Sequence, residues 1–106
     1  MLSTPLLLST AQADVHLYSW KDELAQTPWL EQLAKCESGI NEKAVNPKDS
    51  DNLPAYGLFQ YKTGTWEYFQ EEMGVSGLDI MSGEDQLRVT KWAMENGMAS
   101  HWGICL

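Results

Sequence analysis

Cys36-Glu37-Ser38-Gly39 closes an apolar stretch of this chain, and Tyr56-Gly57-Leu58-Phe59-Gln60 follows about twenty residues later. The first segment reads as the end of a helix. Thr27-Pro28 is its start, with Thr27 as N-cap and Pro28 in the first turn. Glu31 is placed to complement that cap or the positive end of the helix dipole. The helix runs to about Ser38, and Gly39 ends it. By the three-and-four rule, Leu30, Leu33 and Glu37 share one face.

That face makes Glu37 the candidate catalytic residue. Its side chain points toward the apolar interior, and burial disfavours a charged carboxylate. The last turn of a helix carries negative dipole charge, which raises a carboxyl pKa further. Gly39 lets the chain leave sharply and opens space beside the carboxyl. A glutamate raised toward neutrality is a general acid. On the helix alone, an ordinary solvent-facing glutamate competes with this reading.

Working outward, residues 39–56 hold Asn41, Asn46-Pro47, Asp49, Asp51-Asn52 and Pro54, which is the chemistry of loops or an irregular hairpin. A loop of that length often carries function. Thr63 or Thr65 caps a second helix, with Trp66, Phe69 and Met73 inward and Gly74 as its stop. Ser82 with Asp85 resembles a capping box for a helix holding Leu87, Val89, Trp92, Ala93 and Met94 and ending at Gly97. Trp20 and Leu24 suggest a short helical turn or two after Ser19. These residues describe one mostly helical domain over 19–106, with a polar loop between its first two main helices.

Residues 1–18 lack strong periodicity. Leu6-Leu7-Leu8 and Ala11-Gln12-Ala13 suggest an atypical signal-peptide remnant, or else a simple leader. No stretch is long enough for a transmembrane helix, so no membrane insertion is expected.

The chain has 106 residues, enough for one ordinary domain, and 43% hydrophobic with 21% charged residues is globular composition. Its net charge of −8 argues against nucleic-acid binding and against attraction to anionic membranes. The two histidines, His16 and His101, are far apart, and two cysteines are too few for a thiolate zinc site. No metal and no cofactor are expected. Cys36 and Cys105 fit either one disulfide or two reduced buried thiols. Closing that loop stabilises a fold by roughly 4 kcal/mol in the chain-entropy model.

Glu-Ser-Gly at 37–39, Ala44-Val45-Asn46-Pro47, Ala55-Tyr56-Gly57-Leu58-Phe59-Gln60 and Thr65-Trp66 follow one another in order. In this the chain resembles the lysozyme-like superfamily, specifically soluble lytic transglycosylases and bacterial resuscitation-promoting factors. The resemblance covers about residues 29–105. It implies an α+β lysozyme-like fold, mostly α, with a short irregular or hairpin segment flanking a substrate cleft. It also implies a secreted or cell-envelope monomer acting on peptidoglycan, with Glu37 as the single acid/base. Such an enzyme cleaves the β-1,4 bond between N-acetylmuramic acid and N-acetylglucosamine and leaves a 1,6-anhydro product.

By the same resemblance, Ser38 contacts an N-acetyl or lactyl group, or else bonds its own helix end. Gln60 projects into the groove, or serves as a structural loop amide. Gly57 lets the backbone approach the ligand, or simply turns the chain. Tyr56 and Tyr61 line the cleft or pack in the core. Trp66 is a further substrate-binding candidate, although its helical spacing equally fits the core. The Ala-Tyr-Asn-type segment common in lytic transglycosylases is missing between Ile80 and Cys105. There the chain is nearer to the resuscitation-promoting group, with Trp102 close to Cys105, and that group's disulfide would join Cys36 to Cys105.

Two alternatives stay open. A muramidase-type hydrolase needs a second carboxylate, for which Asp49 and Asp51 are the candidates, although both also read as solvated turn residues. A catalytically weak peptidoglycan-binding module would use the same cleft without turnover.

Overall fold

A computed structural model describes residues 19–106. The leader or signal-peptide reading of 1–18 lies outside the described residues. Four helices and one two-stranded sheet make up the domain, and about half of the described residues are helical.

Helix α1 spans Trp20–Ala25. Ser19 and Asp22 form a capping box, each side chain pairing with the other's backbone N–H. Helix α2 follows at once, Pro28–Ser38, with proline in its first turn. Thr27 stands at the cap position but does not cap: its hydroxyl donates backward to the Glu23 carbonyl at 3.3 Å. Leu30, Leu33 and Ala34 bury the inner face of α2. Gly39 ends the helix in the left-handed region, φ 68°, where a side chain would be strained.

The polar stretch folds back as a hairpin. β1 (Val45–Asn46) pairs antiparallel with β2 (Ala55–Tyr56), Val45 opposite Tyr56 and Asn46 opposite Ala55. Beyond β2 a tight turn returns Tyr61 to Tyr56, and the two exchange backbone hydrogen bonds of 2.9 Å. Helix α3 (Thr63–Met73) begins directly after. Neither Thr63 nor Thr65 caps it. Lys62 holds the cap position, and no side chain bonds there. Gly74, at φ 74°, stops it. Helix α4 (Gly83–Glu95) starts with the Ser82 hydroxyl accepting from the Asp85 N–H at 3.1 Å. The Asp85 carboxylate does not complete the box but accepts from the Asp79 N–H. A 3₁₀ turn, Ala99–Trp102, leads to Cys105.

Helix α1 packs on α2 and α4, and α3 packs on α4. Gly83 is required at one of these contacts, because a Cβ there would lie 2.5 Å from the Trp20 indole. The core gathers Leu24, Leu30, Leu33, Leu58, Phe59 and Leu87 with the aromatic group described below.

The turn 56–61 is the hub that positions the site. Four side chains from three other elements hold it. Ser38 of α2 donates to the Leu58 carbonyl at 2.7 Å. Gln86 of α4, fully buried, accepts from the Phe59 N–H at 2.7 Å and donates to the Tyr56 carbonyl at 2.8 Å. Thr90 of α4 pairs with the Tyr61 hydroxyl at 2.9 Å. Trp102 donates its indole N–H to the Phe59 carbonyl at 2.9 Å. A buried backbone polar group left unpaired is costly, so these bonds fix the turn against α2, α4 and the 3₁₀ turn at once.

Candidate active site

Glu37 opens into a cleft of about 670 Å³. It is lined by Glu37 at the end of α2, by the chain from Ser100 to Cys105, and by the hairpin loop with Gln60 and the start of α3. The volume is that of an ordinary ligand site. Cys36 and Cys105 are bonded, with Cα atoms 5.7 Å apart, so the residue before Glu37 is tied to the C-terminal segment that lines the cleft.

Burial pushes the Glu37 carboxyl up to about 7, and the negative charge of Asp49 adds to the effect. Asp49 stands in the same cleft, 3.1 Å from the Lys62 ammonium. Lys62 also pairs with Asp51 and donates to the Leu53 carbonyl at 2.9 Å. The Asn46 amide donates to Asp49 at 3.3 Å. The hairpin loop is therefore fastened to the start of α3 by its own carboxylates, and the charge of one of them, Asp49, acts on Glu37.

His101 lines the same cleft. Its ring stacks on Tyr61, centroids 5.2 Å apart and planes 19° from parallel, and meets Trp102 edge-on at 4.6 Å. Burial holds its pKa below the usual histidine range, and the Lys62 charge pushes the same way, partly offset by Asp49 and the Gln60 carbonyl.

Of the residues expected at the site, Glu37, Gln60 and the second-carboxylate candidates Asp49 and Asp51 line the cleft. Gln60 takes a left-handed φ of 56°, and its amide nitrogen donates to the Gly57 carbonyl at 2.9 Å. Its structural role is thus present together with its place in the groove. Ser38 departs from the substrate-contact expectation: its hydroxyl is used on Leu58 and accepts from the Asn41 N–H at 3.0 Å. Gly57 meets no ligand space. A Cβ there would lie 2.3 Å from the Gln86 amide nitrogen, so its close approach is to the protein's own side chain. Tyr56 is half-buried and is not part of the cleft lining.

Tyr61 and Trp66 are corrections. Tyr61 is wholly buried, with its hydroxyl paired to Thr90 and its pKa pushed up by burial. Trp66 is 5% exposed, packs edge-on against Tyr61 at 4.9 Å and donates to the Leu78 carbonyl. Both belong to the aromatic core behind the cleft, because the turn 56–61 is drawn inward by Gln86 and Thr90. Cleft residues to which the sequence reading gave no site role include Lys62, Thr65, Ser100 and His101. For His101 a signal existed, since a Cys36–Cys105 bond necessarily carries its neighbours toward Glu37. For Lys62 there was none, because its partners reach it only through the hairpin.

Among the described residues, no group of three or more His, Cys, Asp or Glu side chains is arranged to hold a metal ion. Among them, too, no helix is long and apolar enough to cross a membrane. Comparison with known protein families, curated proteins and solved structures finds no match to this chain.

Proposed function

We propose that this chain is a peptidoglycan-cleaving lytic transglycosylase of lysozyme-like kind, secreted or held in the cell envelope, with Glu37 as its acid/base. The observation that carries the reading is the Glu37 carboxyl, half-buried in a ligand-sized cleft, whose pKa of about 7 lets it give and take a proton near neutrality. The disulfide accords with an oxidising compartment.

In the proposed reaction, Glu37 protonates the glycosidic oxygen between N-acetylmuramic acid and N-acetylglucosamine as the bond to the anomeric carbon breaks. The resulting carboxylate then takes the proton of the muramic 6-hydroxyl as that oxygen attacks the anomeric carbon. A 1,6-anhydro ring closes, no water is consumed, and Glu37 ends as it began. The low dielectric that raises its pKa also strengthens its interaction with charge developing on the sugar.

Hydrolysis is the second reading, favoured by one observation: Asp49 lies in the same cleft, near enough for its charge to raise Glu37. A second carboxylate is what an inverting or retaining hydrolase uses to activate water or to attack the sugar.

Digestion of purified peptidoglycan followed by mass spectrometry tests both. Anhydro-terminated muropeptides are the expected product. Reducing ends would assign hydrolysis, and intact glycan that nevertheless binds the protein would make the domain a binding module.

A further inference from the structure

The 3₁₀ turn beside the cleft holds an aromatic surface with no role in the chemistry above. The His101 ring is clamped from behind. Tyr61 covers one face at 5.2 Å, while Trp102 at 4.6 Å and Phe69 at 6.0 Å press their rings at steep angles, 86° and 67°. The ring is nonetheless only partly buried and lines the cleft. Tyr61 occupies one face, and the residue lines the groove. The 3₁₀ turn that bears it is tied to α2 through Cys36–Cys105, so the surface keeps a fixed station relative to Glu37.

We infer that His101 is a substrate-binding residue whose imidazole face away from Tyr61 stacks on a pyranose ring of the glycan bound beside Glu37. The inference rests on the reading of the cleft as a glycan site. A β-linked hexosamine ring carries axial C–H bonds on its faces and hydroxyl and amide groups around its rim. Its face packs on a flat π surface, and its rim needs hydrogen-bonding groups. The cleft supplies both: the imidazole plane, and polar groups of Gln60, Thr65 and Ser100 around it. A neutral ring suits this role better than a hydrated cation, and burial with the nearby Lys62 charge favours the neutral form. The ring is already immobilised by its aromatic neighbours, so little ordering cost remains when the sugar arrives. Tyr61, expected from the sequence to touch substrate, thereby acts one layer back, as the support for the ring that does.

The test uses Glu37→Gln protein, in which binding is read without turnover. The probe is a tetrasaccharide of alternating N-acetylglucosamine and N-acetylmuramic acid, free of stem peptides. Calorimetric titration of this protein is compared with the same protein carrying His101→Ala or His101→Phe. Losing the plane in His101→Ala weakens binding about tenfold, and His101→Phe, which keeps it, stays within about threefold. In protein with His101 intact, NMR shows nuclear Overhauser contacts between imidazole ring protons and pyranose ring protons, a readout independent of whether either variant folds. Binding unchanged in both variants, or no such contacts, would overturn the inference while leaving the glycan site standing. Equal loss in both would overturn it as well, assigning the contact to a ring nitrogen. A Glu37→Gln protein that binds no glycan at all would sink this inference together with the proposed function.

Discussion

The Ser38 hydroxyl donates to the Leu58 carbonyl at 2.7 Å, joining the residue after Glu37 to the turn that supplies Gln60 to the cleft. Two fastenings therefore flank the carboxyl, one on each side, since Cys36 is bonded to Cys105. Ser38→Ala leaves the Leu58 carbonyl without this donor and is expected to cost about 1–2 kcal/mol of stability. Urea denaturation measures the loss. A KM effect without a stability effect would return Ser38 to the role of substrate contact.

Glu37→Gln keeps the shape of the side chain and removes its proton chemistry. Cleavage of peptidoglycan is expected to fall by at least about 10²- to 10⁴-fold, the range supplied by a positioned general acid or base. The thermal transition should not fall. A variant cleaving at the wild-type rate would remove Glu37 from the mechanism.

The raised pKa of Glu37 sets the sign of two pH effects. In the fold it binds a proton more tightly than in the unfolded chain, 4.5 moving to about 7. Its contribution to stability is therefore fully present below about pH 4.5 and is lost as pH rises through 7. Against wild type, Glu37→Gln should lose this dependence, as paired denaturation curves at acid and alkaline pH would show. The proposed mechanism requires the protonated acid, so kcat/KM is expected to decline above pH 7 or so.

Asp49→Asn separates the two chemical readings. It removes the charge that helps to raise Glu37, so the alkaline limb of kcat/KM should move to lower pH. Under transglycosylation the rate on the acid side of that limb survives. Under hydrolysis it drops by about 10²-fold or more, because the partner carboxylate is gone.

Gln86→Leu is expected to be among the most damaging single changes away from the cleft. The buried amide satisfies the Phe59 N–H and the Tyr56 and Ile80 carbonyls. Leaving such groups unpaired costs about 1–3 kcal/mol each, so a loss above about 3 kcal/mol is expected by chemical denaturation. Gly57→Ala should harm the same contact from the other side, since its Cβ meets Gln86 and its φ is 81°.

Reduction of Cys36–Cys105 closes the set. It should lower stability by roughly 4 kcal/mol in the chain-entropy model, and activity should fall with it as the wall bearing His101 is released from α2. Alkylation before and after reduction, read by mass, establishes the state of both thiols.

Much of the fold was legible in the sequence because its signals are local. Pro28 starts α2, Gly39 and Gly74 stop helices in the left-handed region, and Ser82 caps α4. The inward faces at Leu30 and Leu33 and at Leu87 and Val89 follow from helical spacing. The candidate site was only partly legible. Tyr61 and Trp66 show why: an aromatic residue reads alike whether it backs a cleft or lines one, and buried hydrogen-bond partners far along the chain made the choice.

By itself, then, the sequence determined where the chain turns, which helix faces are buried, and that a carboxyl stands at the end of α2. Those outcomes depend on dihedral preference and on periodicity within a few residues. Only the tertiary structure decided that Glu37 is held near neutrality, that Asp49 shares its cleft, and that His101 rather than Tyr61 faces the groove. Burial and Coulomb energy are functions of distance in space, and the groups that set them here lie from a dozen to more than sixty residues away from Glu37 along the chain.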